Sequence, residues 1–168
     1  MKIIAILLFP LFCILTSLFG LLFDPFFTNE LLRSIGKEQS VEATEGVFNS
    51  FSGLSEFPQI FNEQEKSHLR DVAIILRILF VLFIIIFLLF NYFLKYSNLL
   101  KMGFYLFVVL LIILAIIPFQ TIFTTFHLIL FPQGNWTFSA DSVIIQTFPF
   151  EFFYYYAIFI MIYAIFLA

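Results

Sequence analysis

The chain has 168 residues, of which 62% are hydrophobic and only 11% are charged, and its formal net charge is -3. Soluble domains are about 45–50% apolar and about 25% charged, so the composition indicates a membrane protein. The few Lys and Arg residues are scattered, which excludes a basic surface for nucleic acid, and we expect no such partner. The single cysteine, Cys13, lies in the first apolar run and cannot form an internal disulfide.

Four apolar stretches are long enough to cross about 30 Å of hydrocarbon as helices, which takes about 20 residues each. They predict transmembrane helices over residues 1–23, 71–94, 102–126 and 151–168. The alternating pattern of membrane strands is absent, and a helix satisfies its own backbone polar groups within a bilayer. The predicted fold class is therefore an all-α membrane protein, with four transmembrane helices and a small non-cytoplasmic cap.

The first apolar run has two interpretations. Lys2 followed by an apolar core is typical of a cleaved signal peptide. However, the run is longer than the core of a typical signal peptide, and no small-residue cleavage site precedes Asp24. We therefore expect residues 1–23 to be a retained transmembrane helix.

The connections between the predicted spans differ in charge. Residues 24–70 carry most of the charged side chains and form the predicted extracytoplasmic cap, in which a short helix over residues 28–35 should end at Gly36. Residues 95–101 are short and basic, whereas residues 127–150 are polar and nearly uncharged. Because Lys and Arg in short loops favour the cytoplasm, we expect residues 95–101 and both termini to be cytoplasmic and residues 127–150 to be extracytoplasmic.

The two histidines of the chain, His68 and His127, are predicted to lie at the same face of the membrane. The second span starts on the side where the first span ends, and the third span returns to that side. His68 precedes the second span by about one turn, and His127 follows the third span directly. Since histidine takes and gives a proton near neutral pH, the pair is a candidate for acid–base chemistry on an amphiphile.

The residues around His68 predict a defined local geometry. Asn62 and Glu65 have the spacing of a capping box, so a helix should begin there in water and run into the second span. Asp71 and Glu65, three residues either side of His68, lie on its helical face and are predicted to orient the imidazole. The alternative is that His68 and His127 are ordinary polar residues at the membrane interface. The spacing does not indicate a metal site.

Arg77 is the charge inside the second predicted span, about two turns from its start. A charged side chain at such a depth is unfavourable by at least about 2.5–3.5 kcal/mol. Two interpretations stay open. Arg77 extends to the interface and pairs with Asp71 or Glu151, or it contacts the substrate.

Aromatic side chains are frequent in the cap and in the second extracytoplasmic loop, which includes Phe131. They must be buried, and the rim of the helix bundle is the available apolar surface. We expect them to wall a chamber that roofs the two histidines, although an ordinary interfacial aromatic belt is the alternative. The side chains assigned to this chamber are Phe61, Arg77, Asn135, Trp136, Phe138 and Phe148.

Two blocks of the sequence resemble the bacterial lipoprotein intramolecular transacylases. Residues 62–72, NEQEKSHLRDV, resemble the signature E-x-x-H-(M/L)-x-D-V at the head of the second span of that family. The second block has a histidine at the end of the third span, then NWTF over residues 135–138, Asp141, and F-P-x-x-F-F over residues 148–153. The family usually has Glu directly after the F-P pair, whereas Phe150 takes that place here and Glu151 follows.

This resemblance implies an acyl shift within one diacylglyceryl-modified lipoprotein, from the sn-2 ester of the glyceryl group to the α-amino group of the N-terminal cysteine. It implies that His68 and His127 are catalytic, and we expect His68 to be the base because acids lie beside it. The expected partners are the lipoprotein and membrane lipid, with no cofactor or metal, at the extracytoplasmic face of the cell membrane. The alternative is a non-catalytic four-helix scaffold or partner subunit. A transporter is disfavoured, since internal repeats and intramembrane carboxylates are absent from the sequence.

Overall fold

The computed structural model describes residues 2–93 and 97–168, and their side chains except those of residues 2, 5 and 97. Within these ranges the chain is 80% helix and contains no strand, so the predicted all-α fold class is confirmed. The helices are α1 (Lys2–Leu22), α2 (Pro25–Ser34), α3 (Val41–Phe51), α4 (Glu63–Phe93), α5 (Ser97–Ile116), α6 (Phe119–Leu130), α7 (Val143–Thr147) and α8 (Phe150–Leu167), with a short 3-10 helix over Glu38–Ser40.

Three of these helices, α4, α5 and α8, are long and apolar enough to cross a membrane. The number rises to four if α1 and α2 are taken together as one broken span. Many large apolar side chains of these helices are exposed on the surface of the protein, which suits contact with lipid rather than with water. The chain is therefore a helical membrane protein with three to four candidate spans.

The chain divides into two compact units, and α4 and α8 each contribute residues to both. The first unit consists of residues 1–23, 78–118 and 158–168, and the second consists of residues 24–77 and 119–157. Both histidines belong to the second unit.

The first unit is held together by apolar packing between its helices. One buried cluster comprises Leu8, Leu15, Phe19, Ile86 and Phe93, and another comprises Phe9, Cys13, Phe107 and Ala164. Gly103 allows α5 to approach α1 closely, because a Cβ atom at that position would lie 2.6 Å from the Cβ of Phe9. Small residues let the backbones of membrane helices approach in this way.

The second unit begins with helix α2, whose ends carry ordinary capping signals. The Asp24 carboxylate accepts a hydrogen bond from the backbone N–H of Phe27, and Pro25 occupies the first turn, where its missing N–H is not needed. At the other end the N–H of Lys37 donates to the carbonyl of Leu32, with Gly36 at a φ of 71°. The predicted end of this helix at Gly36 is thus confirmed, whereas the helix begins at Pro25, before the predicted start at residue 28.

Helix α4 also begins as the sequence predicts. The side-chain oxygen of Asn62 accepts from the N–H of Glu65 at 3.0 Å, and the Glu65 carboxylate accepts from the N–H of Asn62 at 2.8 Å. This reciprocal pair is a capping box. The helix then continues without a break from Glu63 to Phe93 and carries His68 in its second turn.

The third predicted span differs from the structure. Residues 102–126 belong to two helices, because α5 ends at Ile116 and α6 begins at Phe119. Pro118 lacks a backbone N–H and disfavours helical geometry at the residue before it, which accounts for the break. In the predicted loop over residues 95–101, Lys95 lies outside the described residues, and Ser97 to Lys101 belong to α5.

Candidate active site

Helix α4 holds His68 three residues after the buried carboxylate of Glu65. Glu65 is fully buried, and beyond the capping box its second oxygen accepts a hydrogen bond from the backbone N–H of Ile144 at 3.0 Å. The carboxylate therefore joins the start of α4 to the start of α7. These contacts fix the position and rotation of the turn that carries His68.

The two imidazoles lie side by side in the second unit. The ring centroids of His68 and His127 are 6.1 Å apart, with an angle of 28° between the ring planes. Both side chains are buried. At this separation both side chains can lie next to one small head group.

A backbone contact determines the tautomer of His127. Its Nδ1 lies 2.8 Å from the carbonyl oxygen of Phe123, one turn earlier in α6. Since a carbonyl oxygen can only accept, Nδ1 must carry the hydrogen and donate it. In the neutral imidazole the free lone pair is therefore on Nε2, the form that can act as a base.

Aromatic rings surround the two imidazoles. Phe131 contacts both of them, with its ring centroid 4.6 Å from that of His68 and 5.5 Å from that of His127. Phe138 lies 5.7 Å from His68, and Trp136 lies 4.9 Å from His127. The ring of Phe123 lies tilted against His127, with the centroids 4.2 Å apart. The pair thus sits in an enclosure of aromatic side chains.

Side-chain hydrogen bonds to Asp71, called here the Asp71 tie, attach the loop that carries Trp136 to helix α4. The carboxylate of Asp71 accepts hydrogen bonds from the side-chain amides of Asn135 at 2.6 Å and Gln133 at 3.0 Å. Gln133 also donates to the side-chain oxygen of Asn135 at 3.1 Å. One carboxylate, one turn after His68, therefore positions the residues next to the indole that covers His127.

Burial controls the charge of the two imidazoles. His68 lies in the polar first turns of α4, and His127 lies near the end of α6, a helix of 12 residues. Burial lowers the pKa of each histidine. The neighbouring His127 lowers the pKa of His68 further, whereas Asp71 raises it. Burial thus favours the neutral form of both imidazoles.

The other residues that the sequence assigned to the chamber have these positions. Phe61 is buried just before α4, at 1% exposure. The Arg77 guanidinium is exposed and donates to the carbonyl of Phe51 at the end of α3. Phe148 packs on Phe152 and Phe153. Of the assigned residues, only Trp136 and Phe138 have the ring contacts with the histidines described above.

Sequence reasoning did not assign Phe123 or Gln133 to the site. The signal for Phe123 is its spacing, because a residue four positions before His127 on a helix lies on the same face. Gln133 carries no comparable signal, since its role depends on how the loop after α6 folds back onto Asp71. Among the described residues, no group of three His, Cys, Asp or Glu side chains could hold a metal ion.

Comparison with known protein families identifies a match. A protein-family model described as "Lipoprotein intramolecular transacylase Lit" matches residues 2–153. No curated protein and no solved structure matches the chain. The matched region contains both histidines, the Asp71 tie and the surrounding aromatic residues.

Proposed function

Because the chain belongs to the lipoprotein intramolecular transacylase family Lit, which acts on lipoproteins in the bacterial membrane, we propose that it makes the lyso form of lipoproteins. In this reaction the sn-2 acyl chain of a diacylglyceryl-modified lipoprotein moves to the α-amino group of its own N-terminal cysteine. The observation that carries the proposal is the pair of buried imidazoles 6.1 Å apart within the region that the family model matches.

His127 is the proposed base. Its Nε2 carries the free lone pair, since Nδ1 donates to the Phe123 carbonyl. Nε2 takes a proton as the α-amino nitrogen attacks the ester carbonyl carbon and a C–N bond forms. The C–O bond to the glyceryl group then breaks, and the proton passes from Nε2 to the departing oxygen. An amide and a free glyceryl hydroxyl result, with no other reactant consumed.

His68 is the proposed partner on the oxygen side. A nitrogen-bound hydrogen of its imidazole donates to the carbonyl oxygen as negative charge develops on it in the tetrahedral intermediate. This assignment differs from the expectation from sequence, in which His68 was the base because acids lie beside it. The supporting observation is that a backbone carbonyl fixes the tautomer of His127, whereas the Asp71 carboxylate is hydrogen bonded to the loop amides.

The aromatic enclosure supplies the rest of the catalysis in this proposal. In this proposal Phe131, Phe138 and Trp136, whose rings contact the histidines, exclude water that would otherwise hydrolyse the ester. Amine and ester belong to one molecule, so holding them together contributes an effective concentration of about 10⁵–10⁸ M. Acid–base help from the histidines adds about 10²–10⁴-fold.

Mass spectrometry of a substrate lipoprotein tests the proposal directly. Expression of the wild-type chain with a diacyl lipoprotein should convert the N-terminal peptide to the N-acyl, S-monoacylglyceryl form. His68→Ala and His127→Ala should each lower conversion at least about a hundredfold, because each removes a group that handles a proton. Arg70→Ala, an exposed change two residues after His68, is the matched control and should keep full conversion.

Two results would contradict this mechanism. Absence of conversion by the wild type would remove the proposed reaction. Full conversion by both alanine variants, with normal amounts of folded protein, would show that neither histidine is catalytic.

A further inference from the structure

The ring of Phe126 contacts His127 and is also exposed at the surface of the protein. Its centroid is 5.4 Å from that of the imidazole, with an angle of 74° between the ring planes. Nevertheless 48% of the Phe126 side chain is exposed, whereas only 9% of His127 is. Adjacent positions on a helix point about 100° apart, so the side chain before His127 on α6 can contact the imidazole and still face outwards.

This combination distinguishes Phe126 from the other aromatic side chains next to the histidines. In the part of the chain that the structure describes, those are Phe123, Phe131, Trp136 and Phe138. Phe131 is 2% exposed, and the other three are partly buried. Of the described rings that contact an imidazole, Phe126 is therefore the most exposed to the surroundings of the protein.

The end of α6 around Phe126 carries further large apolar side chains on its surface. Leu128 and Ile129 are 60% and 70% exposed. Exposed apolar side chains of this size in a membrane protein suit contact with lipid rather than with water. One face of the Phe126 side chain therefore contacts the candidate base, and the rest of it is available to a hydrocarbon chain.

The sn-2 acyl group of the proposed substrate has the same two requirements. Its carbonyl carbon must lie beside the imidazoles during the acyl shift, while its hydrocarbon chain is most stable away from water. A ring 5.4 Å from the imidazole can reach the part of the chain nearest the carbonyl. Each CH₂ group that is buried against an apolar side chain strengthens binding about fourfold.

We propose that Phe126 contacts the sn-2 acyl chain and makes the reaction selective for a long chain over a short acyl group. The inference rests on the proposed function, because that reaction brings the sn-2 ester to the histidines. Phe126 is then a residue that determines specificity, and it takes no part in proton transfer.

Kinetics on two synthetic substrates test this contact with the full-length protein in detergent. Both are S-diacylglyceryl-cysteine amides with the same sn-1 palmitoyl chain, and they differ only at sn-2, where one carries an acetyl group and the other a palmitoyl group. The wild type should have the higher kcat/KM for the sn-2 palmitoyl substrate. Phe126→Ala should lower kcat/KM about four- to tenfold for this substrate only, because the acetyl group has no CH₂ group to lose its contact.

A matched pair of variants separates apolar contact from changes in local packing. Leu and Gln side chains are similar in size, but Leu is apolar and Gln is polar. Phe126→Leu should keep most of the preference for the palmitoyl substrate, whereas Phe126→Gln should lose it as Phe126→Ala does. Ile129→Ala is the control, since it removes an exposed apolar side chain that points about 200° away from His127, and it should leave kcat/KM unchanged for both substrates.

The outcomes separate this inference from the proposed function. If the wild type converts both substrates equally well, or if Phe126→Ala and Phe126→Gln change kcat/KM equally for both, Phe126 does not select the acyl chain. The same loss of preference in Ile129→Ala would assign the effect to the apolar surface in general and overturn the inference. If the wild type converts neither substrate, the proposed function fails, and this inference fails with it.

Discussion

At the scale of single residues, the site depends on polar contacts that hold aromatic rings in place. The Asp71 carboxylate accepts hydrogen bonds from Asn135 and Gln133 and so secures the loop that brings Trp136 to His127. Its charge also raises the pKa of His68, against the effect of burial. One carboxylate thus contributes both to the shape of the enclosure and to its electrostatics.

Removal of the hydrogen bond between Asn135 and Asp71 should reduce activity without unfolding the protein. Asn135→Ala deletes the 2.6 Å hydrogen bond to Asp71 and frees the loop next to Trp136. We expect a loss of about ten- to a hundredfold in conversion, since small displacements of positioning groups have effects of this size. The assay is lipoprotein conversion by mass spectrometry, with folding checked by size-exclusion chromatography in detergent.

Gln133→Ala is the comparison variant, because it removes the longer contact at 3.0 Å and leaves Asn135 in place. Gln133→Ala should lower lipoprotein conversion less than Asn135→Ala does. A wild-type rate in Asn135→Ala would show that the tie does not position the enclosure.

At the scale of the helices, packing within the first unit depends on one close approach. A Cβ atom at position 103 would lie 2.6 Å from the Cβ of Phe9 and 2.9 Å from the carbonyl oxygen of Ile6. The second neighbour is backbone and cannot rotate away, so a substitution must shift one of the two helices. The sequence offers no sign of this contact, because Gly103 looks like any other glycine in an apolar run.

Gly103→Ala should therefore destabilise the protein. We expect a loss of about 1–3 kcal/mol, the usual effect of overpacking a core. Reversible unfolding by added detergent, followed by circular dichroism, measures it. Gly20→Ala in α1 is the matched control, since nothing lies within 4 Å of its added Cβ, and it should be neutral or slightly stabilising.

Equal stability of the alanine variants at positions 103 and 20 would contradict the packing explanation. Both positions lie inside apolar helices, so the gain in helix propensity from Gly to Ala is the same in the two variants. A difference in their stability therefore reports the packing at position 103.

At the scale of the whole molecule, the orientation in the membrane is a proposal that follows from the Lys and Arg distribution. We propose that the segment with α2 and α3 and the enclosure around the histidines face the extracytoplasmic side. The chain suits thiol labelling well, because its single cysteine, Cys13, is fully buried.

Two cysteine substitutions test this orientation in intact cells. A membrane-impermeant maleimide should label Glu42→Cys, since position 42 is exposed on α3. It should label Lys101→Cys, also exposed, only after the cells are made permeable. The reverse pattern would place the site on the cytoplasmic side.

Sequence predicted most where local rules apply. The capping box at Asn62 and Glu65 and the end of α2 at Gly36 follow from side-chain spacing alone, and both are confirmed. Counting spans indicated that the histidines share a face, and the structure brings their rings within 6.1 Å. The break at Pro118 was missed because hydrophobicity continues across it, and the role of Gln133 was missed because it depends on loop folding.

The hydrogen bond from His127 to the Phe123 carbonyl has a genetic consequence. Its acceptor is part of the peptide backbone, which every amino acid at position 123 supplies except where the helix itself is lost. Point mutations can therefore change the ring at position 123, but they leave the proton on the same nitrogen of His127. Selection can adjust the shape of the enclosure at this position while the protonation pattern of the imidazole is inherited unchanged.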